Sequence, residues 1–185
     1  AMISHKYRCI FVHIPKTAGQ GIEKFFLSLH GLSWNDRSSL LLKYNAIPEQ
    51  GPERLAHLTI SEYLDYDHID SENFSSYFKF AFVRNPWARL ASEYNYRNLH
   101  TNMSFKKFIM EGLPEPSNYS DAYRHIMPQH MFLYDIQDRL LVDYVGRYEQ
   151  LQLGFNFVAG RLNIANAHLP HVNSSCYRFT QDKNP

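Results

Sequence analysis

The spacing of apolar positions changes period once within the first thirty residues, and the change marks an element boundary. Cys9 to Ile14 is mostly apolar, the pattern of a parallel strand covered on both faces. Pro15 ends it, because proline offers a sheet no N–H. From there Ile22, Phe25, Phe26 and Leu29 recur at i, i+3, i+4 and i+7, one face of a helix. Gly31 stands where a helix C-cap takes positive φ. Between strand and helix lies Lys16-Thr17-Ala18-Gly19-Gln20-Gly21. Small residues there leave backbone N–H groups facing an anion at the positive end of the helix, and Lys16 adds a mobile full charge. The stretch predicts a phosphate or sulfate cradle.

Residues 31–55 mix polar residues with Trp34, Pro48, Gly51 and Pro52 and predict a long surface connection, with a short helix around Ser38–Tyr44. Arg54–Ile60 predicts a short strand, and Ser61 through Ile69 a short helix. Tyr77–Val83, rich in aromatic and β-branched residues, predicts another strand. Asn85 is a good N-cap and Pro86 a good first helical residue, so a helix begins there with Trp87, Leu90, Ala91 and Tyr94 on its buried face. Phe105, Phe108 and Ile109 predict a helix stopped by Gly112 and Pro114, and residues 112–120 carry turn signals throughout. Asp121–Asp135 is aromatic and His-rich, interrupted by Pro128. Asp143–Tyr148 predicts the last strand and Glu149–Leu162 a final amphipathic helix. Strands alternating with helices give an α/β fold: a parallel central sheet flanked by helices, in a single domain over residues 3–185. Ala1-Met2 reads as a cloning remnant and is set outside it. The cradle then sits at the carboxyl end of the first strand, where open α/β sheets place their ligands.

Composition narrows the function classes. At 185 residues the chain can bury one full core, and 44% hydrophobic with 20% charged residues excludes a disordered segment. A net charge of +1 gives no reason to expect nucleic-acid binding, so any basic site is local. Cys9 and Cys176 make no disulfide framework, which favours a reducing compartment. No signal peptide is visible and no apolar run is long enough to span a bilayer. A cytoplasmic protein is the expectation, with a trimmed luminal domain as the alternative.

The cradle does not fit the Walker A loop, in which the lysine follows the last glycine and a hydroxyl binds magnesium; Lys16 precedes both glycines, and Gln20-Gly21 follow. Ile14-Pro-Lys-Thr-Ala-Gly19 instead resembles the 5′-phosphosulfate loop of sulfotransferases, particularly their carbohydrate and heparan-type branch. Phe80–Tyr94, with Arg84-Asn-Pro-Trp-Ala-Arg-Leu-Ala-Ser92 inside it, resembles the 3′-phosphate motif of the same family, in the same order along the chain. Asp143–Leu151 is similar to its downstream Gly-Arg-Phe-Glu-like stretch, and the chain still looks familial at Leu169–Ser174. The resemblance implies a P-loop NTPase-like sulfotransferase fold, 3′-phosphoadenosine 5′-phosphosulfate (PAPS) as sulfonate donor, and an acceptor hydroxyl, by family branch on a saccharide. Many members carry Thr-Ser where Gln20-Gly21 stand, so backbone donors remain while side-chain hydroxyls do not. Many also continue beyond the position of Pro185, which leaves a short member and a truncated C-terminus as two readings. No metal is expected, since backbone dipoles and Lys16 supply the positive field.

Carried over residue by residue, the resemblance places Lys16 against the bridging oxygen and sulfonate. A fixed cation there stabilises charge that grows on the leaving oxygen. Thr17, Ala18, Gly19, Gln20 and Gly21 would cradle the 5′-phosphate. Arg84 would grip the 3′-phosphate with its planar fork. Ser92, eight residues on and about two turns along, returns to the same side with its hydroxyl. His57, in His-Leu-Thr shortly before the 3′-phosphate strand, is the candidate base for the acceptor proton, a task suited to a group titrating near neutrality. His13 reads as a core histidine and Arg89 as a solvated or ion-paired residue, with a helper role at the phosphate as its alternative. Tyr123, Arg124, His125, Gln129 and His130 either line an acceptor groove or pack a loop onto the core. The competing functions are a P-loop kinase or other nucleotide-dependent phosphotransferase, and a non-catalytic module that binds the nucleotide or a sulfated glycan.

Overall fold

Four strands in the order β1-β2-β3-β4 carry the molecule, whose computed structural model describes residues 2–170. Ala1, Cys176, Pro185 and all of Leu169–Ser174 beyond Pro170 lie outside the described residues. Strand β2 (Cys9–Val12) pairs in parallel with β3 (Phe78–Val83), and β3 in parallel with β4 (Tyr144–Arg147). The expected all-parallel sheet needs one correction. Met2–Ser4 forms β1, an antiparallel edge strand against β2, and Met2 is fully buried there. Three residues are too few for a periodicity to show.

The pleat sends alternate residues into two cores. Ile10, Val12 and Ala81 face one, with Leu55, Leu58, Tyr63, Met127 and Phe132. Phe11, Phe80 and Phe82 face the other, under Ile22, Phe26, Phe155 and Val158. Five of those are phenylalanines without accessible surface, each worth about 1.5–3 kcal/mol of burial. Helices α1 (Gly19–Leu29) and α7 (Leu151–Arg161) thus cover the phenylalanine face. The opposite face is covered by α2 (Glu62–Asp65), α3 (Ser71–Ser76) and the segment after α6 (Asp121–Ile126), while α4 (Pro86–Tyr96) packs against α5 (Phe105–Glu111) and α6.

Helix ends follow the sequence signals. Gly31, at φ 69°, closes α1: its N–H reaches Ser28 O at 3.0 Å, and the Leu32 N–H reaches Leu27 O at 2.9 Å. Asn85 Oδ1 accepts from the N–H groups of Trp87 and Ala88 and starts α4. Three expectations fail. Leu55–His57 is a 3₁₀ turn followed by extended backbone, not a strand, because Leu55, Leu58 and Ile60 reach the core from a segment that pairs with no sheet edge. The short helix lies earlier, as a 3₁₀ segment over Trp34–Leu40 capped by Ser33. Trp87 is 67% exposed, because the buried side of α4 is polar: Arg89, Ser92 and Glu93 lie inside with Ala91.

Candidate active site

The register of β2 and β3 sets Val12 beside Ala81, so the turns after both strands emerge next to each other. Lys16 and Arg84 stand on those turns, and Arg84 Nη1 donates to Lys16 O at 3.0 Å. The first turn is strained and heavily pinned. Lys16 (φ 70°) and Ala18 (φ 67°, ψ 19°) are both left-handed without being glycine, at a cost of about 1–2 kcal/mol each. Such conformations persist only where the surroundings over-determine them. Here Arg84 holds Lys16 O, Arg89 Nε donates to Pro15 O at 2.9 Å, and Thr17 Oγ1 donates to Ile14 O at 2.8 Å. Gly19 is required by close approach, since a Cβ would lie 2.0 Å from the His13 ring. No side chain caps α1 and no acidic residue sits in its first turn, so its positive end is presented outward. Lys16 Nζ lies 3.8 Å from the centre of the Tyr96 ring. Burial lowers its pKa, Glu93 opposes that, and Arg84 and Arg97 add to it.

One cavity is lined by Lys16, Ala18, Gly19, Gln20, Gly21, His57, Arg84 and Ser92. The sequence-predicted residues therefore converge from four segments, with Thr17 as the exception: fully buried, it spends its hydroxyl on the backbone. Arg84 is 6% exposed and its guanidinium carbon lies 4.0 Å from the Tyr148 ring centre. Gln129 clamps its backbone on both sides, accepting the Arg84 N–H at 2.9 Å and donating to its carbonyl at 2.7 Å. Glu149 accepts the Asn85 N–H at 2.8 Å. The Gly-Arg-Tyr-Glu stretch thus braces the Arg84 turn.

Arg89 is not solvated. It is 4% exposed and donates to the carbonyls of Pro15, Met127 (2.7 Å) and Arg124 (3.1 Å), tying the Lys16 loop to α6. Arg124 is structural as well, forked onto Glu62 at 2.6 and 2.7 Å. Of the residues from 123 to 130 expected near the acceptor, His125 lines the cavity, while Gln129 serves Arg84 and His130 is exposed.

Three imidazoles meet at the cavity, His57 standing edge-on to His13 (5.0 Å) and His125 (5.2 Å). Each gives Nδ1 to a carboxylate: His13 to Glu23 at 2.5 Å, His57 to Asp121 at 2.6 Å, and His125 to Glu93 at 2.6 Å. His13 is thus buried as expected, yet it also borders the cavity. Burial holds His57 well below the ordinary histidine range, partly offset by its bond to Asp121 and reinforced by His13. Burial would raise Asp121, but His57, His125 and Arg54 outweigh it and hold the carboxyl at about 2. His57, Asp121 and His125 each offer one atom within 4.8 Å of the others, a spacing open to a cation. The 2.6 Å His57–Asp121 contact is nevertheless a proton-sharing distance, shorter than the ~3.3 Å between two ligands bound tetrahedrally to one zinc.

Asp121, Glu93, Tyr96 and Tyr148 escaped the sequence reading. Glu93 directly follows Ser92, and its ion pair to Arg97 at i+4 was the available signal. Asp121 lies 64 residues from His57 and carried none.

The chain is 30% identical over 94 residues, 46% of its own length and 68% of the other's, to an uncharacterized protein of Archaeoglobus fulgidus. No solved structure matches it with significant similarity. A family profile described as the sulfotransferase family matches residues 1–184. The chain belongs to the sulfotransferase family.

Proposed function

We propose that the protein transfers a sulfonate group from PAPS to a hydroxyl of a saccharide acceptor, on a P-loop-like anion cradle. The observation that carries the reading is the convergence of Lys16, Arg84, Ser92 and His57 on one cavity at the carboxyl ends of two adjacent parallel strands. The donor set suits a ligand that carries more than one anionic group. In this reading the helix start with Lys16 takes one anion, and Arg84 with Ser92, lining the same cavity, takes the other.

PAPS supplies the sulfonate and a phosphate leaving group. The chain's part is proton transfer, charge and orientation. His57 takes the proton of the acceptor hydroxyl as the new O–S bond forms. Lys16 neutralises the negative charge left on the departing phosphate oxygen as the old S–O bond breaks. The depressed Lys16 pKa reflects a partly desolvated ammonium, whose field is stronger than that of a solvated one. Its ammonium rests over the Tyr96 ring, among the residues that line the same cavity.

Transfer of labelled sulfonate from PAPS to a panel of neutral and acidic oligosaccharides tests the reading. The expected result is turnover in the native chain, lost by about 10²–10³-fold in Lys16→Ala and 10²–10⁴-fold in His57→Ala, with nucleotide affinity kept in the latter. Full turnover in His57→Ala removes His57 from the mechanism, and no turnover with any acceptor rejects the activity.

A further inference from the structure

The three histidine–carboxylate pairs around the cavity are not equivalent. In His13, Nε2 is pressed against the anion loop, 2.1 Å from where a Gly19 Cβ would stand. In His125, Nε2 faces Asp121 Oδ2 at 3.5 Å, so both of its nitrogens look at carboxylates. His57 differs: Nδ1 is engaged by Asp121, and among the described residues no hydrogen bond engages Nε2. Of the three, it alone keeps a nitrogen for an incoming hydroxyl.

We propose that Asp121 is a positioning residue for His57: by accepting Nδ1–H on Oδ1, it fixes the imidazole in the tautomer whose Nε2 is bare and aims that nitrogen at the acceptor. Asp121 is itself held at three further points. Its backbone N–H donates to Glu53 Oε2 at 3.1 Å, Arg54 Nε stands 3.3 Å from Oδ2, and the Glu93-anchored His125 ring flanks the same oxygen. It sits in the first turn of α6, directly after the Ser120 cap, where the helix favours an anion. Asp121 is ionised throughout the neutral range and can only accept, so the proton in the 2.6 Å bridge belongs to His57. When Nε2 gains the acceptor's proton, the imidazolium charge is met by Asp121, which stays deprotonated; the proton then leaves from His57 to water. The Glu93–His125 pair acts one step further out, fixing the side of Asp121 that His57 does not use.

The proposal rests on His57 as base, but its first test does not. Long-range ¹H–¹⁵N spectra of the imidazoles in the full chain, with the His57 signals identified by their loss in His57→Gln, report the tautomer without any substrate. The expected spectrum has His57 protonated at Nδ1 and bare at Nε2 near neutral pH. In Asp121→Asn that signature changes, and turnover with PAPS falls by about 10²–10⁴-fold at unchanged donor KM and unchanged affinity for the desulfonated nucleotide. Asp121→Glu restores the signature and part of the rate. If Asp121→Asn does not fold, the native spectrum and Asp121→Glu decide. A native His57 protonated at Nε2, or an Asp121→Asn spectrum identical to the native one, overturns the proposal. The expected tautomer in a chain that transfers no sulfonate counts against the proposed function and leaves the positioning role standing.

Discussion

Arg89→Ala is the substitution from which the architecture has most to lose away from the reacting groups. The guanidinium is 4% exposed and makes three bonds, to the carbonyls of Pro15, Met127 and Arg124. The first carbonyl begins the Lys16 loop, and the other two flank the His125 segment. Burial brings its pKa down to about 10, partly offset by Glu93, so it is charged at neutral pH. Hydrogen bonds to a charged group contribute about 1.5–3 kcal/mol each, which for three gives a nominal 4.5–9 kcal/mol. Water entering the vacated space satisfies some of the carbonyls, and the variant no longer bears the cost of burying a cation. The expected net loss is therefore about 3–5 kcal/mol, a large share of a total stability of about 5–15 kcal/mol. Urea unfolding followed by tryptophan fluorescence measures it, with unchanged slope and a lower midpoint. Arg89→Lys keeps the charge but cannot span three carbonyls, and is expected to lose about half as much. A loss under about 1 kcal/mol in Arg89→Ala, at unchanged slope, refutes the claim that this residue ties the loop to α6.

Gly19→Ala drives a methyl to within 2.0 Å of the His13 ring, so it is expected to cost about 1–3 kcal/mol and to weaken nucleotide binding; pairing it with His13→Ala recovers part of both, and strict additivity in that cycle contradicts the contact. Turnover plotted against pH is expected to be bell-shaped. Burial depresses His57, so the base stays unprotonated further into acid than a free imidazole and the acid limb falls below pH ~6.5. Burial depresses Lys16, so the alkaline limb falls below pH ~10.4; limbs above either value contradict these environments. Dialysis against EDTA is expected to leave turnover unchanged, whereas loss that zinc or manganese restores would show a cation held by His57, Asp121 and His125.

The sequence made the scaffold of the site legible where one local signal decided it. The strand–loop–helix unit, the Asn85-Pro86 helix start and the Gly31 stop each depend on neighbouring residues and stand as read. The residues that organise the site from behind were not legible, because their chemistry depends on partners far along the chain. Helix α4 is the clearest example. Its apolar residues suggested that Trp87 is inside, yet Arg89, Ser92 and Glu93 are the buried ones, at i, i+3 and i+4. A polar face can be buried only where carbonyls, an imidazole and a guanidinium await it. Apart from Arg97, one turn on from Glu93, those come here from residues 15, 124, 125 and 127, which no periodicity within the helix can announce. Arg54–Ile60 shows the complementary limit: a short apolar run says that a segment is buried and leaves its backbone geometry open.

The central claim is that two anion sites, one at Lys16 and the start of α1 and one at Arg84 and Ser92, hold the two ends of one nucleotide. Calorimetric titration with 3′-phosphoadenosine 5′-phosphate, with and without magnesium and against AMP, tests it most directly. The account predicts tight binding that needs no metal and that AMP, lacking the 3′-phosphate, cannot match. Equal affinity for AMP, or binding that requires magnesium, would contradict it.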